Sequence, residues 1–63
     1  MRAWLVALRK KKGMTQVEVS KLAGIPQPSY CHIERGCIEP RSATAKKIAS
    51  VLGFDWTKFY EDE

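Results

Sequence analysis

The stretch that decides the fold is residues 15–36, TQVEVSKLAGIPQPSYCHIERG. It predicts two short amphipathic helices joined by a turn of only a few residues. Gly24 is expected to end the first helix, because glycine enters the left-handed conformation of a helix C-terminus without a Cβ penalty. Pro26 is expected to begin the second, since its fixed backbone angle suits a first helical turn. The predicted apolar face of the first helix consists of Val17, Val19 and Leu22, with Ser20 and Ala23 small enough for a close crossing of the helices.

The second of these helices, predicted over residues 26–35, turns Tyr30 and Ile33 inward and polar side chains outward. On or near its outer face we expect Gln27, Ser29, Cys31 and His32. Two helices joined in this way form a helix-turn-helix. When the second helix is polar on its outside, its shape suits the major groove of DNA.

The rest of the chain predicts further helices and shows no strand-like alternation. One helix is expected over residues 3–12, another over residues 43–52, and a short one after Asp55. The predicted core stripe of the 43–52 helix is Ala45, Ile48, Ala49 and Leu52. Together these elements predict one all-α domain over residues 1–63, a compact bundle of about five short helices.

Composition narrows the class of protein. A chain of 63 residues with 44% hydrophobic content is globular but close to the lower limit for a self-sustaining core. It has no apolar run of about 18 residues that would cross a membrane. With no export signal in the sequence, we expect a cytoplasmic location and reduced cysteines.

The charge is basic and unevenly distributed. Eleven Lys and Arg against seven Asp and Glu give a net charge of +4. Three of the acidic residues close the chain, so residues 1–60 carry 11 − 4 = +7. A small basic body of this kind favours a polyanionic partner, although lysines also serve simply to keep a small domain in solution.

In its motifs the chain resembles the Cro-type, phage-repressor-like family of helix-turn-helix transcriptional regulators. The resemblance covers nearly the whole chain without gaps. It is carried by Leu8-Arg9, Gly13-Met14-Thr15-Gln16, Leu22-Ala23-Gly24-Ile25, Ile33-Glu34-Arg35-Gly36, Pro40, Ile48-Ala49, Leu52-Gly53-Phe54 and Phe59. It implies a prokaryotic or phage-like regulator that binds double-stranded DNA, as a homodimer on a two-fold-symmetric operator. Repression is the preferred role, and activation stays open.

The resemblance also implies roles for individual residues. Arg9 and Glu34 match a partly buried ion pair of the family, for which we expect a structural role. Gln16 matches a glutamine that approaches a DNA phosphate, where free backbone N–H groups and the helix dipole attract an anion. Arg35 and Arg41 are expected to contact phosphates, or in the case of Arg41 the narrow minor groove.

The 26–35 helix also supplies candidates for reading base edges. Glutamine pairs with adenine through two hydrogen bonds, histidine donates to guanine, and a thiol can pack against the methyl group of thymine. Proline is tolerated in a first helical turn because the N–H groups there lack partners. The candidates are Gln27, Pro28, Ser29, Cys31 and His32. For each of them a phosphate contact, or none, is the alternative.

An aromatic cluster near the end of the chain has two interpretations. Trp56, Phe59 and Tyr60 are candidates for a homodimer interface, because aromatic side chains near the end of a tiny domain gain by burial against a second copy. The same residues also fit a role as cover for the core of a single copy.

Other classes of function receive less support. Cys31, His32 and Cys37 offer only three clustered ligands where structural zinc takes four, so we expect no metal. A redox switch through the two cysteines stays open.

We expect no enzyme, cofactor or small-molecule ligand, since no nucleophile and base are arranged for catalysis. The alternatives to a specific regulator are a protein-interaction module, such as an antitoxin-like or anti-regulator domain, and sequence-independent DNA binding.

Overall fold

The computed structural model describes residues 1–61, and within that range the chain forms four α-helices, one 3₁₀ helix and no strand. The elements are α1 (Ala3–Lys11), α2 (Gln16–Ala23), α3 (Gln27–Arg35), α4 (Ser42–Leu52) and a 3₁₀ helix (Trp56–Tyr60). The predicted all-α bundle of about five helices is confirmed, with boundaries shifted by a residue. The last two residues of the acidic tail lie outside the described range.

The helix-turn-helix is defined by local signals at both ends of α2. At its start, Thr15 Oγ1 accepts a 3.1 Å hydrogen bond from the backbone N–H of Glu18. Glu18 Oε1 in turn accepts one of 2.8 Å from the backbone N–H of Thr15, which completes the capping box that their spacing predicts. At its end, Gly24 adopts φ +71°, the left-handed conformation expected there. Pro26 is the N-cap of α3 rather than its first residue.

The core lies where α2, α3 and α4 meet, with α1 and the 3₁₀ helix packed against them. All four residues of the stripe predicted for α4 are buried, and so are Tyr30 and Ile33 of α3, as predicted. The buried core cluster comprises Leu5, Val19, Ala23, Tyr30, Ile33, Ala45, Ile48, Leu52 and Phe59.

The prediction for the apolar face of α2 is wrong at two of its three positions. Val17 is 48% exposed and Leu22 is 66% exposed, whereas Val19 is fully buried. The face that packs inward runs through Val19 and through Ser20 and Ala23, the two small residues expected at the helix crossing. The small side chain of Ser20 suits this contact because its hydroxyl donates to Val17 O at 2.8 Å, so burial leaves no unpaired polar atom.

Three aromatic rings seal one end of the core. Trp4, Phe54 and Phe59 pack edge to face, with ring centroids 5.2–5.5 Å apart. Phe59 is only 5% exposed and belongs to the core of the single chain. Among the described residues, no helix is long and apolar enough to cross a membrane.

Candidate nucleic-acid interface

A buried carboxylate, that of Glu34, ties α1 and α2 to the inner side of α3. Arg9 meets it with two donors, Nε at 2.6 Å from Oε2 and Nη2 at 3.3 Å from Oε1. The side chain of Arg9 is 13% exposed and that of Glu34 only 3%. Arg9 Nη1 also donates to Met14 O at 2.9 Å, which fixes the chain between α1 and α2. The resemblance implied this pairing, and the contacts give it a structural role.

Two further donors complete the surroundings of Glu34. The side-chain amide of Gln16, the first residue of α2, donates to Oε1 at 2.8 Å. The hydroxyl of Tyr30 donates to Oε2, also at 2.8 Å. Tyr30 therefore finds the partner that a buried phenol needs. Gln16 is half-buried at the N-terminus of α2, so the residue expected to face a phosphate is held by the same carboxylate that pairs with Arg9.

The shared carboxylate changes the pKa values of the groups around it. Burial opposes the ionisation of Glu34, but hydrogen bonds from Arg9, Gln16 and Tyr30 and the charge of Arg9 outweigh it, so the pKa of Glu34 is lowered. The hydrogen bond to Glu34 raises the pKa of Arg9. Burial, reinforced by the bond to Glu34, raises the pKa of Tyr30. The charged pair is thus the favoured state of this site.

The outer side of α3 presents the residues predicted to read DNA. Gln27, Pro28, His32 and Arg35 are exposed, and Ser29 and Cys31 are half-buried. Pro28 lies in the first turn, where the absent N–H removes no intrahelical hydrogen bond. Since Tyr30, Ile33 and Glu34 are buried on the opposite side, α3 has one face fixed in the core and one face of mixed polar side chains turned outward.

Arg41 joins this surface from the next element. It is exposed and is the N-cap of α4, directly after the buried Pro40. Arg41 and Ser29 line the same shallow groove of about 240 Å³ between the start of α3 and the start of α4. The structure therefore brings the predicted base-reading helix and one predicted phosphate-binding arginine together.

The three dimer candidates do not share one environment. Phe59 lies in the core and offers almost no surface to a partner. The prediction that Phe59 belongs to a dimer interface is therefore wrong. Tyr60 is 45% exposed, and its hydroxyl donates to Pro40 O at 2.6 Å. Trp56 is half-buried, edge-on to Tyr60, with Lys46 Nζ 5.0 Å from its ring centroid.

The two cysteines are both free thiols, with Cys31 half-buried and Cys37 exposed. Over residues 1–61, no three His, Cys, Asp or Glu side chains are grouped in a way that would hold a metal ion.

The sequence does not predict the structural role of Arg2, which lies beside this surface. Arg2 contacts the C-terminal end of α3 and the loop that follows it, and only 11% of its side chain is exposed. No signal in the sequence marks it, because an isolated arginine ahead of a helix is ordinarily solvated.

Comparison with known proteins assigns the chain to a family. The model of a family described as helix-turn-helix matches residues 5–59 of the chain. The chain is also 50% identical over 62 residues to YqaF, an uncharacterized HTH-type transcriptional regulator of Bacillus subtilis (strain 168), a match that covers 98% of this chain and 82% of YqaF. No solved structure matches.

The fold and the polar outer face of α3 thus define a helix-turn-helix protein. The chain belongs to the Cro/C1-type helix-turn-helix family, as the resemblance implied.

Proposed function

We propose that this chain is a sequence-specific DNA-binding repressor that acts at a two-fold-symmetric operator. Members of its family are DNA-binding regulators of transcription. YqaF is named as an HTH-type transcriptional regulator. In this proposal α3 enters the major groove with its outer face, and the operator overlaps a promoter, so that occupancy excludes polymerase. Binding alone produces the effect, without catalysis or a cofactor.

The observation that carries the proposal is the two-sided character of α3. Its inner side is fixed by the buried Glu34, whose carboxylate accepts hydrogen bonds from Arg9, Gln16 and Tyr30. Its outer side displays exposed polar groups such as His32. A side chain can discriminate between bases only when the element that carries it is held in place, and a buried network of hydrogen bonds provides that rigidity.

Phosphate contacts would hold the helix in register on the duplex. Arg35 follows the base-reading candidates at the end of α3, and Arg41 starts α4, both exposed. Gln16 lies at the N-terminus of α2, where the backbone N–H groups of Gln16 and Val17 are not used by the capping box and can attract a phosphate. Such contacts supply affinity that falls with salt, and contacts to base edges supply the preference for sequence.

A homodimer on DNA is part of the proposal, and the surface around Pro40 supports it. Tyr60 is 45% exposed and bonded to Pro40 O, and Ile38 in the same loop is 46% exposed. Apolar groups exposed in this way gain by burial against a second copy, and a two-fold interface would use the same patch on both copies. Trp56, half-buried beside Tyr60, would lie at its edge.

The proposed function is tested by selecting bound duplexes from a random DNA pool at near-physiological salt. We expect an enriched palindrome whose half-site centres lie about one helical turn apart. A Gln27→Ala/His32→Ala double variant is the control, and we expect it to lose the enrichment while it keeps its fold, since both side chains are exposed. If the wild-type protein enriches no sequence, the proposal fails, and binding to a protein partner becomes the better hypothesis.

The dimer is tested separately by sedimentation on the selected duplex. We expect two copies per duplex for the wild-type protein and for Tyr60→Phe, which keeps the exposed ring but loses the bond to Pro40. Tyr60→Ser removes the ring and should bind half-sites independently. One wild-type copy per palindrome would contradict the dimer and leave DNA binding intact.

A further inference from the structure

Arg2 caps the C-terminal end of α3. Its backbone N–H donates to Glu34 O at 2.8 Å, and its Nη1 donates to Ile33 O at 2.6 Å. Carbonyl groups in the last turn of a helix have no partner within the helix and carry partial negative charge. A guanidinium is therefore a favourable ligand for them, and Arg2 fastens the segment before α1 to the end of α3.

The same side chain holds the loop between α3 and α4. Arg2 Nη1 lies 3.3 Å from Ile38 O, and Nη2 forms a 2.8 Å salt bridge with Glu39 Oε1. The next residue, Pro40, is buried and accepts the hydroxyl of Tyr60. The loop is thus fixed at successive residues immediately before Arg41.

The core holds Arg2 in turn. Its guanidinium carbon lies 5.5 Å from the ring centroid of Phe59, within the range of a cation–π interaction. Since Phe59 is buried among the aromatic rings at this end of the core, Arg2 is anchored to a rigid group. One side chain therefore joins α3, the α3–α4 loop and the 3₁₀ helix.

We propose that Arg2 is a positioning residue that fixes the outer face of α3 relative to Arg41, so that both meet one DNA half-site together. This inference rests on the proposed function. Arg2 itself does not touch DNA: its side chain is nearly buried, and its two terminal nitrogens are bonded to the end of α3 and to the loop. It acts through the geometry of the two elements that do.

The test compares variants of Arg2 on the selected duplex and on a scrambled duplex. We expect Arg2→Ala to bind the selected duplex about tenfold more weakly and the scrambled duplex less than about threefold more weakly. Arg2→Lys should behave like Arg2→Ala, because a lysine keeps the charge but lacks the planar fork that reaches Ile33 O and Glu39 at once. Lys47→Ala, an exposed charge on α4, is the matched control and should change both affinities equally and slightly.

The salt dependence separates positioning from direct contact. A residue that binds a phosphate changes the slope of log affinity against log salt by about 1 when it is removed. On the scrambled duplex, where half-site geometry plays no part, we expect Arg2→Ala to leave the slope unchanged and Arg41→Ala to reduce it. A slope on the scrambled duplex reduced by Arg2→Ala, or an unchanged preference for the selected duplex in both Arg2 variants, would overturn the proposal.

Measurement of the free protein distinguishes failure of this inference from failure of DNA binding. We expect Arg2→Lys to raise the hydrogen-exchange rates of the Gly36 and Cys37 amides without DNA, because these amides donate to Ile33 O and His32 O at the end of α3 that Arg2 holds. Unchanged rates would refute the anchoring. If Arg2→Ala does not fold, Glu39→Ala takes its place, since the Glu39 side chain is 69% exposed. If the wild-type protein binds no duplex, the proposed function fails and the role of Arg2 in DNA binding fails with it, whatever the exchange rates show.

Discussion

Gln16 and Glu34 are joined by a 2.8 Å hydrogen bond from the side-chain amide of one to Oε1 of the other. The bond links the start of α2 to the inner side of α3, and Arg9 brings the end of α1 to the same carboxylate. The first three helices of the fold are thus joined by hydrogen bonds to one buried carboxylate, that of Glu34. Stability and the placement of the outer face of α3 consequently depend on the same few contacts.

Arg9→Ala should destabilise the fold by about 3 kcal/mol, because it leaves the buried carboxylate of Glu34 without its counter-charge. In a domain of this size such a loss lowers the melting temperature by more than 10 °C, on the order of several degrees per kcal/mol. Thermal unfolding followed by circular dichroism measures it, with the exposed neighbour Lys10→Ala as control. An Arg9→Ala protein that melts normally but loses DNA affinity would show that Arg9 contacts DNA instead.

Tyr30→Phe should cost about 1 kcal/mol, since it removes one hydrogen bond to Glu34 while Arg9 and Gln16 still satisfy the carboxylate. The ring stays in place, so no cavity forms. Urea titration gives the difference in unfolding free energy. A Tyr30→Phe protein as unstable as Arg9→Ala would mean that the hydroxyl, and not the ion pair, holds the network together.

Stability should fall in acid because of Glu34. Its pKa is lowered in the folded chain, so the unfolded chain takes up the proton at a higher pH than the folded chain does. The contribution of Glu34 is therefore complete at neutral pH and is lost as the pH falls from about 5 through the lowered pKa. Urea titrations across this range measure the loss, and NMR titration of the Glu34 carboxyl should show the lowered pKa directly.

Asp55 must be separated from this effect. The backbone and side chain of Thr57 donate to Asp55 at the start of the 3₁₀ helix and lower its pKa as well. Asp55→Asn is therefore the background in which to repeat the titration. If the loss of stability in acid disappears in Asp55→Asn, the exposed cap is responsible and the interpretation of Glu34 is wrong.

His32→Ala should weaken binding to the preferred site by about 1–3 kcal/mol and relax the preference at one base position. His32 is exposed in the middle of the outer face of α3, where a side chain can reach a base edge. The measurement is a set of affinities for duplexes that differ singly from the selected site. An equal loss on every duplex would identify His32 as a contact to the DNA backbone.

Much of the fold could be predicted because its signals are local. The capping box of Thr15 and Glu18 and the left-handed Gly24 lie within the helix they delimit. The core stripe of α4 follows from its spacing alone. The prediction for the inner face of α2 is wrong at Val17 and Leu22, because the face that turns inward depends on packing against other helices, where the small Ser20 fits and Leu22 does not.

The candidate site could be predicted only in outline. The outer residues of α3 follow from helical periodicity, whereas the Arg9–Glu34 pair came from the family resemblance. Arg2 could not be predicted, because its partners Ile33 and Ile38 lie 31 and 36 residues away. Sequence spacing carries no information about a contact of that range between an arginine and backbone carbonyls.

Sequence-specific binding is tested most directly by the ratio of two dissociation constants, for the selected duplex and for a scrambled duplex of the same length, at roughly 150 mM salt. We expect the scrambled duplex to bind about a thousandfold more weakly, or weaker still. Equal affinities for the two duplexes, which both fall as salt rises from roughly 50 to 200 mM, would show that binding is driven by charge. That result would contradict the recognition of base edges by α3.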